Sequence, residues 1–439
     1  MKKNRSSIIG SAIFAALLLA CGFSSFSCSE ESERPADTDP MVPGAGSDSG
    51  SDNGDSGDNG EEGEDVEALT FSMDDVTQST AFNSGTESVH TFRIPTITTA
   101  PDGSLIVAGE ARHYYWSDKS YSDVHLKRST DDGLTWSSAT TVTGAINSGS
   151  YAFMDPLLIT DKIGGTMWLF TCRWIAGNSN CYNNRAFVSV STNNGQTWNT
   201  PTDITDQIVT EGAYISGFGP GSGFQIAEGL YENRLIVPTR QTVYSADGTS
   251  TTTSCTTVYS DDYGQSWSIG NGITPSGECQ MADCGNNTLT LNVRASGFRR
   301  AGFSTNGGVT WGAPSTAAGI PGVDGGCQAS VLGVGGTTVL FCGIEGGTAT
   351  DDYDNRCKLA VYRSVNGAIT WPKSQLLYEA AAGYCCMTSL DDGRVAIVFE
   401  AGDGEGFTKN SSRSEGWMRL DVMVLPKEVI DSDYWFEEE

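Results

Sequence analysis

The sequence predicts an all-β protein, more specifically a six-bladed β-propeller with four antiparallel strands in each blade. Two observations support this fold. The 439 residues include 53 Gly, 10 Trp and 15 Tyr, a composition typical of strands joined by tight turns. One eight-residue motif recurs five times, while stretches with helical periodicity are few. We therefore expect little helix and a series of similar small sheets.

The recurring motif follows the pattern S-x-[DN]-x-G-x-[ST]-W. In such a turn the Asp or Asn side chain accepts hydrogen bonds from backbone amides, glycine adopts a positive φ, and tryptophan packs beneath the turn. The copies begin 44 to 69 residues apart, which suits one four-stranded sheet per copy and leaves room for six. The last copy deviates, because Ala368 stands at the glycine position. The copies are Ser129–Trp136, Ser191–Trp198, Ser260–Trp267, Ser304–Trp311 and Ser364–Trp371.

The N-terminal region predicts export. A basic start, Met1–Arg5, precedes the apolar stretch Ile8–Ala20, which is too short to span a bilayer as a stable helix. Cys21, in Leu-Leu-Ala-Cys, resembles a bacterial lipobox cysteine, and Cys28 is the second candidate for lipidation. A cleaved signal peptide without lipid is the alternative. We assign residues 1–28 to this signal and expect an exported protein: a cell-surface or outer-membrane lipoprotein, or a periplasmic or secreted protein.

Residues 29–66 predict a disordered acidic tether. They are almost entirely Gly, Ser, Asp, Glu, Asn and Pro, with 13 acidic residues against one Arg. The tether thus carries −12 of the formal net charge of −28, and this acidity argues against nucleic acid as a partner. We interpret residues 67–439 as one domain and expect a monomer that contacts a membrane only through the lipid anchor.

Cysteine and histidine usage bears on the possible chemistry. Ten cysteines follow Cys28, and export permits disulfides among them without deciding which ones form. Cys172/Cys181 and Cys279/Cys284 are close enough in sequence to be candidates. No Cys/His spacing indicates zinc, and the chain has three histidines, so metal and Ser-His-Asp catalysis are both disfavoured. We expect no cofactor.

The segment Phe92-Arg93-Ile94-Pro95 resembles the F/Y-R-I-P motif that opens the catalytic domain of sialidases. The five repeats resemble the Asp-boxes of the same superfamily. An arginine on a strand stiffened by proline suits bidentate recognition of a carboxylate. The resemblance spans roughly residues 85–400 and implies a bacterial exo-α-sialidase. The Asp-boxes indicate the fold and not the chemistry, because similar boxes occur in propellers that only bind.

The resemblance also implies the residues around the cleaved bond. Arg112, which follows Gly-Glu-Ala, would support the site, and Asp118, six residues later, would be the general acid/base. Asp123 is the competing carboxylate, although its closeness to a strand start favours a structural role. Asp155, before a proline, is similar to an Asp that lies in the sialidase substrate pocket; an ordinary turn is the alternative. The aromatic run at 114–116 matches no motif, and loop packing is favoured over an aglycone platform.

The resemblance implies two further arginines that would complete the family's triad with Arg93. Arg294 lies sixteen residues after Glu278, an arrangement that resembles the family pattern, whereas Arg240 in relatives lies beside the pocket without joining the triad. Arg356 stands where the family has its third arginine. Arg363, just before the last Asp-box, is expected to face solvent.

The segment Gly-Tyr-Cys-Cys-Met-Thr, which begins at Gly383, is similar to the one that carries the family's nucleophile, so Tyr384 is the candidate nucleophile and Glu278 its base. Sialic acid has a carboxylate on its anomeric carbon, and tyrosine avoids the repulsion that a carboxylate nucleophile would meet. A free tyrosine has a pKa of about 10 and therefore needs a base. Asp118 would protonate the leaving oxygen, and two inverting steps give retention.

The resemblance thus implies a glycoside hydrolase that releases terminal sialic acid from glycoproteins, glycolipids or oligosaccharides. Two alternatives remain. A trans-sialidase, or an enzyme that forms an anhydro sugar, would share every residue named above. A non-catalytic glycan-binding propeller would need the arginines alone, so the presence of Tyr384, Glu278 and Asp118 argues against it.

Overall fold

A computed structural model describes residues 72–274, 277–347, 355–404 and 419–431. The predicted signal and tether, residues 1–28 and 29–66, lie outside the described residues. In the described ranges no helix is long and apolar enough to cross a membrane. Strands dominate, which confirms the all-β prediction; the helical segments are a 3-10 helix (Met73–Asp75) and two single-turn α-helices, α1 (Thr205–Ile208) and α2 (Glu428–Asp431).

Among the described residues, the strands form four hydrogen-bonded sheets. Strand β1 (Thr77–Asn83) leaves its sequence neighbours and pairs with the last strand of the chain. The first sheet has nine strands, of which eight are consecutive in the chain; the ninth, the two-residue strand Gly221–Ser222, adds in parallel to Tyr151–Asp161. Its consecutive strands are β2 (Thr91–Thr99), β3 (Leu105–Arg112), β4 (Ser122–Ser129), β5 (Thr140–Thr141), β6 (Tyr151–Asp161), β7 (Thr166–Ile175), β8 (Arg185–Ser191) and β9 (Thr202–Asp203).

The second and third sheets are smaller and antiparallel throughout. The second consists of five strands between residues 214 and 269, and the short strand that belongs to the first sheet falls within the same stretch of the chain. These strands are β10 (Tyr214–Phe218), β11 (Gly221–Ser222), β12 (Phe224–Gln225), β13 (Leu235–Tyr244), β14 (Thr251–Ser260) and β15 (Ser268–Ile269). The third sheet comprises β16 (Cys279–Asp283), β17 (Leu289–Arg294), β18 (Arg299–Ser304) and β19 (Ser315–Thr316).

The fourth sheet has seven strands and includes β1 at its edge. Its long strand β23 pairs first with β22 and then, after a register shift, with β24. The remaining strands are β20 (Ser330–Gly335), β21 (Thr338–Ile344), β22 (Cys357–Ser364), β23 (Lys373–Ser389), β24 (Val395–Ala401) and β25 (Arg419–Leu425).

Apolar side chains fill the space between successive sheets. Burial of one large aliphatic or aromatic side chain contributes roughly 1.5–3 kcal/mol, so these layers are the main source of stability. Four core clusters each combine residues from two sheets: three join sheets that are neighbours in sequence, and one joins the last sheet to the first. Residues from different sheets that belong to the same core cluster include Phe170 and Val258, Ile236 and Leu291, Ala282 and Phe341, and Phe92 and Val398.

Each Asp-box follows the third strand of a sheet unit, after β4, β8, β14, β18 and β22. The first four lead into a two-residue outer strand, and the last leads into the long strand β23. In the first copy Asp131 Oδ1 accepts the backbone N–H of Thr135 at 2.9 Å, and Ser129 Oγ accepts that of Gly133, whose φ is 82°, also at 2.9 Å. The predicted turn chemistry is therefore confirmed. The last copy keeps the same turn although Ala368 must adopt φ 66°, a conformation disfavoured for a residue with a Cβ.

All ten cysteines that follow Cys28 are buried free thiols. Neither candidate disulfide, Cys172/Cys181 or Cys279/Cys284, is formed in this structure. The stability of the described fold therefore rests on the packed sheets and their hydrogen bonds.

Candidate active site

The sequence-predicted site residues gather at one edge of the sheets. Neighbouring strands are antiparallel, so the end of one strand lies beside the start of the next. Arg112 and Arg294 are the last residues of β3 and β17, while Glu278 and Arg356 directly precede β16 and β22. Residues as far apart in the chain as Arg112 and Arg356 thereby reach a common pocket.

Register shifts in three strands aim further side chains into this pocket. A β-bulge redirects side chains at the point where regular pairing is interrupted. In β2 the shift lies between Arg93 and Thr96, in β6 between Met154 and Leu157, and in β23 between Ala382 and Cys385. Two pre-proline residues in these bulges, Ile94 and Asp155, have φ values of 53° and 52°. Such strained backbone is typical of functional sites.

Three arginines surround the ring and hydroxyl of Tyr384. The guanidinium carbons of Arg93 and Arg356 lie 5.2 and 5.5 Å from the centre of the Tyr384 ring. Arg294 Nη1 donates to the Tyr384 hydroxyl at 2.8 Å. Arg93 and Arg356 are each 2% exposed, so the cations line a largely desolvated pocket. Such a cluster suits an anionic ligand, because charge-assisted hydrogen bonds strengthen where water is excluded.

Glu278 and Tyr384 form a hydrogen-bonded pair. The Tyr384 hydroxyl donates to Glu278 Oε1, and Arg294 Nη1 donates to Glu278 Oε2 at 2.8 Å. Burial opposes ionisation of Glu278, but Arg294 and Arg240 outweigh it, so the pKa of the Glu278 carboxyl lies below its ordinary value. Burial and the Glu278 carboxylate raise the pKa of Tyr384 well above its ordinary value. The arrangement is a neutral phenol beside an ionised base that can take its proton.

Asp118 lies near Arg93 and Arg112, in the loop between β3 and β4. Its Oδ1 is 2.9 Å from Arg112 Nη2 and 3.8 Å from Arg93 Nη1, and 58% of its side chain is exposed. Desolvation raises the pKa of Asp118, but Arg112 and Arg93 outweigh this effect and lower it to about 2. Without a ligand, Asp118 is therefore an accessible carboxylate at the mouth of the pocket.

The competing carboxylate, Asp123, has a structural environment. It is buried, and its oxygens accept hydrogen bonds from Thr143 Oγ1 at 2.9 Å and Asn147 Nδ2 at 3.0 Å; His113 Nε2 lies 2.9 Å away. None of the triad arginines contacts it among the described residues. The preference for Asp118 agrees with this geometry.

Asp155 lies in the wall of the pocket and is paired with Arg240, whose Nη2 donates to its Oδ2. Burial raises the pKa of Asp155 to about 7, although Arg240 lowers it. Arg240 thus contacts a pocket residue and is not one of the three arginines around Tyr384, as the sequence predicted. Glu110 Oε1 accepts the Asp155 backbone N–H at 2.9 Å, so Asp155 is held from both sides.

Two buried carboxylates that the sequence analysis did not assign support these groups. Glu400 accepts two hydrogen bonds from Arg93, at 2.9 and 3.0 Å, and the backbone N–H of Tyr384 at 3.2 Å. Glu110 Oε2 accepts two from Arg112, at 3.0 and 2.7 Å. Both carboxylates are 0% exposed. Each is the one acidic residue of its strand, β24 or β3, and follows a run of apolar residues and glycine; this is the signal that could have identified it.

Two local expectations were wrong. Arg363 is 8% exposed and does not face solvent, because its strand β22 is flanked by β21 and β23 inside the fourth sheet. Loop packing does not cover the aromatic run beside Asp118, since Tyr114 and Tyr115 are 78% and 52% exposed. The Trp116 backbone carbonyl accepts Arg112 Nη1 at 2.5 Å, which ties this loop to the pocket.

No cluster of three or more His, Cys, Asp or Glu side chains with the geometry for a metal ion occurs among the described residues. The groups that converge are instead three cations, a phenol with a paired carboxylate, and an exposed carboxylate at the mouth. Such a set can bind a carboxylate and place a nucleophile and a proton carrier on two sides of one atom.

These features define a class of protein: an all-β chain built on Asp-box turns, with an arginine-lined pocket around a tyrosine–glutamate pair. A family model described as "BNR repeat-like domain" matches residues 90–397, which is more than half of the chain. The chain therefore belongs to the BNR repeat-like domain family, and the resemblance to the Asp-box sialidase superfamily is confirmed.

Similar proteins bear sialidase names. The chain is 28% identical over 345 residues to a sialidase from Micromonospora viridifaciens, covering 73% of this chain and 51% of that protein. It is 27% identical over 352 residues to a sialidase from Bacteroides fragilis, covering 73% of this chain and 61% of that protein. The chain thus spans between half and two thirds of the length of these relatives.

Solved structures show the same fold at lower identity. The Hadza microbial sialidase Hz136 aligns with a TM-score of 0.66 and 23% identity, over 80% of this chain and 69% of that one. The intramolecular trans-sialidase from Ruminococcus gnavus, in complex with oseltamivir carboxylate, aligns with a TM-score of 0.63 and 19% identity, over 81% of this chain and 99% of that one.

Proposed function

We propose that this protein is an exo-α-sialidase, a glycoside hydrolase that releases terminal sialic acid from glycoconjugates with retention at the anomeric carbon. The observation that carries the proposal is the Tyr384–Glu278 hydrogen bond inside a ring of three arginines. A binding protein would need the cations but not a phenol paired with an ionised base. The curated relatives named sialidases support the same activity.

Substrate binding begins with the sugar carboxylate. Arg93, Arg294 and Arg356 donate charge-assisted hydrogen bonds to it, which fixes the anomeric carbon near the Tyr384 hydroxyl. Asp155 lies in the pocket wall on the sugar side, where it can accept hydrogen bonds from polar groups on the ring. The substrate carboxylate also weakens the pull of Arg93 on Asp118 and, by excluding water, raises the pKa of Asp118.

The first chemical step forms a bond between Tyr384 Oη and the anomeric carbon and breaks the bond to the leaving oxygen. Glu278 takes the phenolic proton, and protonated Asp118 gives its proton to the leaving oxygen. In the second step Asp118 takes a proton from water and the water oxygen attacks the anomeric carbon. The bond between that carbon and Tyr384 Oη breaks, and Glu278 returns its proton to the phenolate oxygen. Each step inverts the configuration, so the net result is retention.

The proposal extends to architecture and location. The strand pairing supports a count of six propeller blades, the last of which combines strands from both ends of the domain. The six units are β2–β5, β6–β9, β10–β15, β16–β19, β20–β23, and β23–β25 with β1. We further propose that the domain begins near residue 67, acts as a monomer, and is held by an exported, lipidated N-terminus at Cys21 or Cys28 through the acidic tether. The substrates would then be sialylated glycoproteins, glycolipids or oligosaccharides outside the cytoplasm.

The test is hydrolysis of a fluorogenic α-sialoside by the purified protein, with the first product examined by NMR. We expect the α-anomer to appear first. Tyr384→Phe and Asp118→Ala should each lose most of the rate, whereas Tyr362→Phe, which removes a hydroxyl bonded to Glu345, should retain it. Full activity in Tyr384→Phe would refute the mechanism, and no release from any α-sialoside would favour the binding protein.

The same experiment with lactose present distinguishes hydrolysis from transfer. Free sialic acid as the main product supports the proposal. Sialyllactose would identify a trans-sialidase, and a bicyclic anhydro sugar would identify an intramolecular transfer. The residues named above would serve all three reactions, so the product decides among them.

A further inference from the structure

A groove of about 560 Å³ lies on the first and second sheets, and none of the eight candidate site residues lines it. Two observations place this groove near the active site. Tyr151, in its wall, begins strand β6, four residues before Asp155. The Gly177 backbone N–H, beside the rim, donates to the Lys119 carbonyl at 2.8 Å, next to Asp118. We call it the Arg173 groove; the lining residues that matter are Tyr151, Arg173, Ile175, Tyr182, Asn183 and Tyr214.

The guanidinium of Arg173 is positioned by aromatic rings and has no carboxylate counterion among the described residues. Its guanidinium carbon lies 4.5 Å from the centre of the Tyr151 ring and 5.2 Å from that of Phe187, so the aromatic rings fix its position. Within the described ranges no carboxylate forms an ion pair with Arg173, and its buried Nε has no hydrogen-bond partner. A half-buried guanidinium in this condition favours an anionic ligand, because a bound anion would replace lost hydration.

The acidic residues near the groove do not neutralise Arg173. Two of them form ion pairs with Arg185, the cross-strand neighbour of Arg173: Arg185 Nε is 2.8 Å from Asp203 Oδ2, and Arg185 Nη1 is 3.3 Å from Asp206 Oδ1. The third, Glu211, is an exposed residue of the lining. The unpaired positive charge of the groove is therefore that of Arg173.

Tyr182 gives the groove a flat surface for a sugar ring. It is 44% exposed, and its other face stacks on Tyr244 with ring centres 4.2 Å apart and planes at 24°. Tyr214 supports it edge-on at 5.1 Å. Ile175, also in the lining, is 38% exposed. A supported, exposed aromatic face beside a guanidinium and the Asn183 amide is a surface that suits a carboxylate-bearing sugar.

The leaving group is the part of a substrate that can reach this groove. It departs past Asp118, and the next residue, Lys119, places its Nζ 4.3 Å from the centre of the Trp174 ring, beside Ile175. The four residue steps of β6 from Tyr151 to Asp155 span roughly 13 Å at about 3.3 Å per step. The groove therefore lies beyond the cleaved bond and within reach of a short oligosaccharide.

We propose that the Arg173 groove binds a second carboxylate-bearing sugar, in the leaving group of the substrate, so that the protein prefers oligosialylated over monosialylated glycans. This inference rests on the proposed function for the identity of the cleaved bond. Arg173 would bind the second carboxylate and Tyr182 would stack on its ring, so the two residues determine specificity without taking part in bond cleavage.

The test compares kcat/KM for α2,8-linked trisialic acid with that for 3′-sialyllactose. We expect the wild type to prefer trisialic acid. Arg173→Ala should lower kcat/KM for trisialic acid about tenfold, the loss of one charge-assisted hydrogen bond, and change that for sialyllactose by less than twofold. The control is Arg300→Ala, which removes a guanidinium stacked on Phe298 at 5.2 Å in the third sheet. Equal losses on both substrates, or none, would overturn the proposal.

Binding separates failure of the groove from failure of the proposed activity. In a Tyr384→Phe background, calorimetric titration with trisialic acid should show an affinity about tenfold weaker when Arg173 is also replaced by Ala. If the protein cleaves no sialoside but shows this difference, the groove stands and the sialidase proposal falls. If it cleaves sialosides but binding is the same with and without Arg173, or is absent, the groove inference is wrong.

Discussion

Tyr384 and Glu278 are directly hydrogen-bonded although 106 residues separate them in the chain. Arg294 donates to both, at 2.8 Å to each. The arginine keeps Glu278 ionised, and Glu278 can then accept the proton of Tyr384 when its oxygen attacks. A phenol, an ionised carboxylate and a cation are thus combined in one contact, and the proposed mechanism gives them the roles of nucleophile, base and substrate-binding group.

Glu278→Gln should lower kcat by about 10²–10⁴, because the amide cannot accept the phenolic proton. KM should change only a few-fold, since Arg93 and Arg356 still bind the substrate carboxylate. Steady-state kinetics with a fluorogenic α-sialoside measure both constants. Glu232→Gln, at an exposed position, is the matched control. A kcat within tenfold of the wild type would show that Glu278 is not the base.

Glu400→Gln should weaken both stability and substrate binding. It removes a fully buried ion pair with Arg93 and leaves an uncompensated cation, which typically costs about 3–5 kcal/mol. Urea unfolding should show this loss in the free energy of unfolding. KM should rise more than kcat falls, because Arg93 loses its orientation. Glu379→Gln, whose side chain is 69% exposed, should change neither quantity; a Glu400 variant as stable as that control would contradict the prediction.

Asp155 should make stability depend on pH. Its folded pKa of about 7 lies above the ordinary value of about 3.9, so folding favours the protonated form. The stabilisation is fully present below pH 4 and is lost as pH rises through about 7. Relative to Asp155→Asn, which stays neutral, the wild type should therefore lose free energy of unfolding between pH 4 and 7. Urea unfolding at each pH measures this difference. If the free energies of unfolding of the two proteins differed by the same amount at every pH from 4 to 7, the prediction would be wrong.

Ala368→Gly should stabilise the protein by about 1 kcal/mol without changing its activity. Ala368 has φ 66°, which glycine adopts without strain. The opposite change at the equivalent position of the fourth Asp-box, Gly308→Ala, should destabilise, because a Cβ there would lie 2.9 Å from Thr257 Cγ2. Thermal and urea unfolding of the pair measure both effects. A decrease in stability for Ala368→Gly would mean that the turn does not hold Ala368 under strain.

Local chemistry in the sequence predicted the turns and most of the pocket. The Asp-boxes could be recognised because each turn is satisfied by hydrogen bonds within eight residues. The triad arginines, Tyr384 and Glu278 could be chosen because they lie in short motifs. Glu400 was missed because its partner, Arg93, is 307 residues away. Arg363 was misplaced because the packing of a sheet, and not the adjacent Asp-box, determines its burial.

The sequence by itself determined the all-β class, the repeated turn and the candidate residue types, since composition, strand propensity and turn hydrogen bonds are properties of adjacent residues. Only the tertiary structure decided which charges meet. The pKa of Asp118 and that of Asp155 move in opposite directions because one carboxyl lies between two arginines at the mouth and the other is buried in the wall. Distance and desolvation, which create that difference, exist only once the sheets have packed.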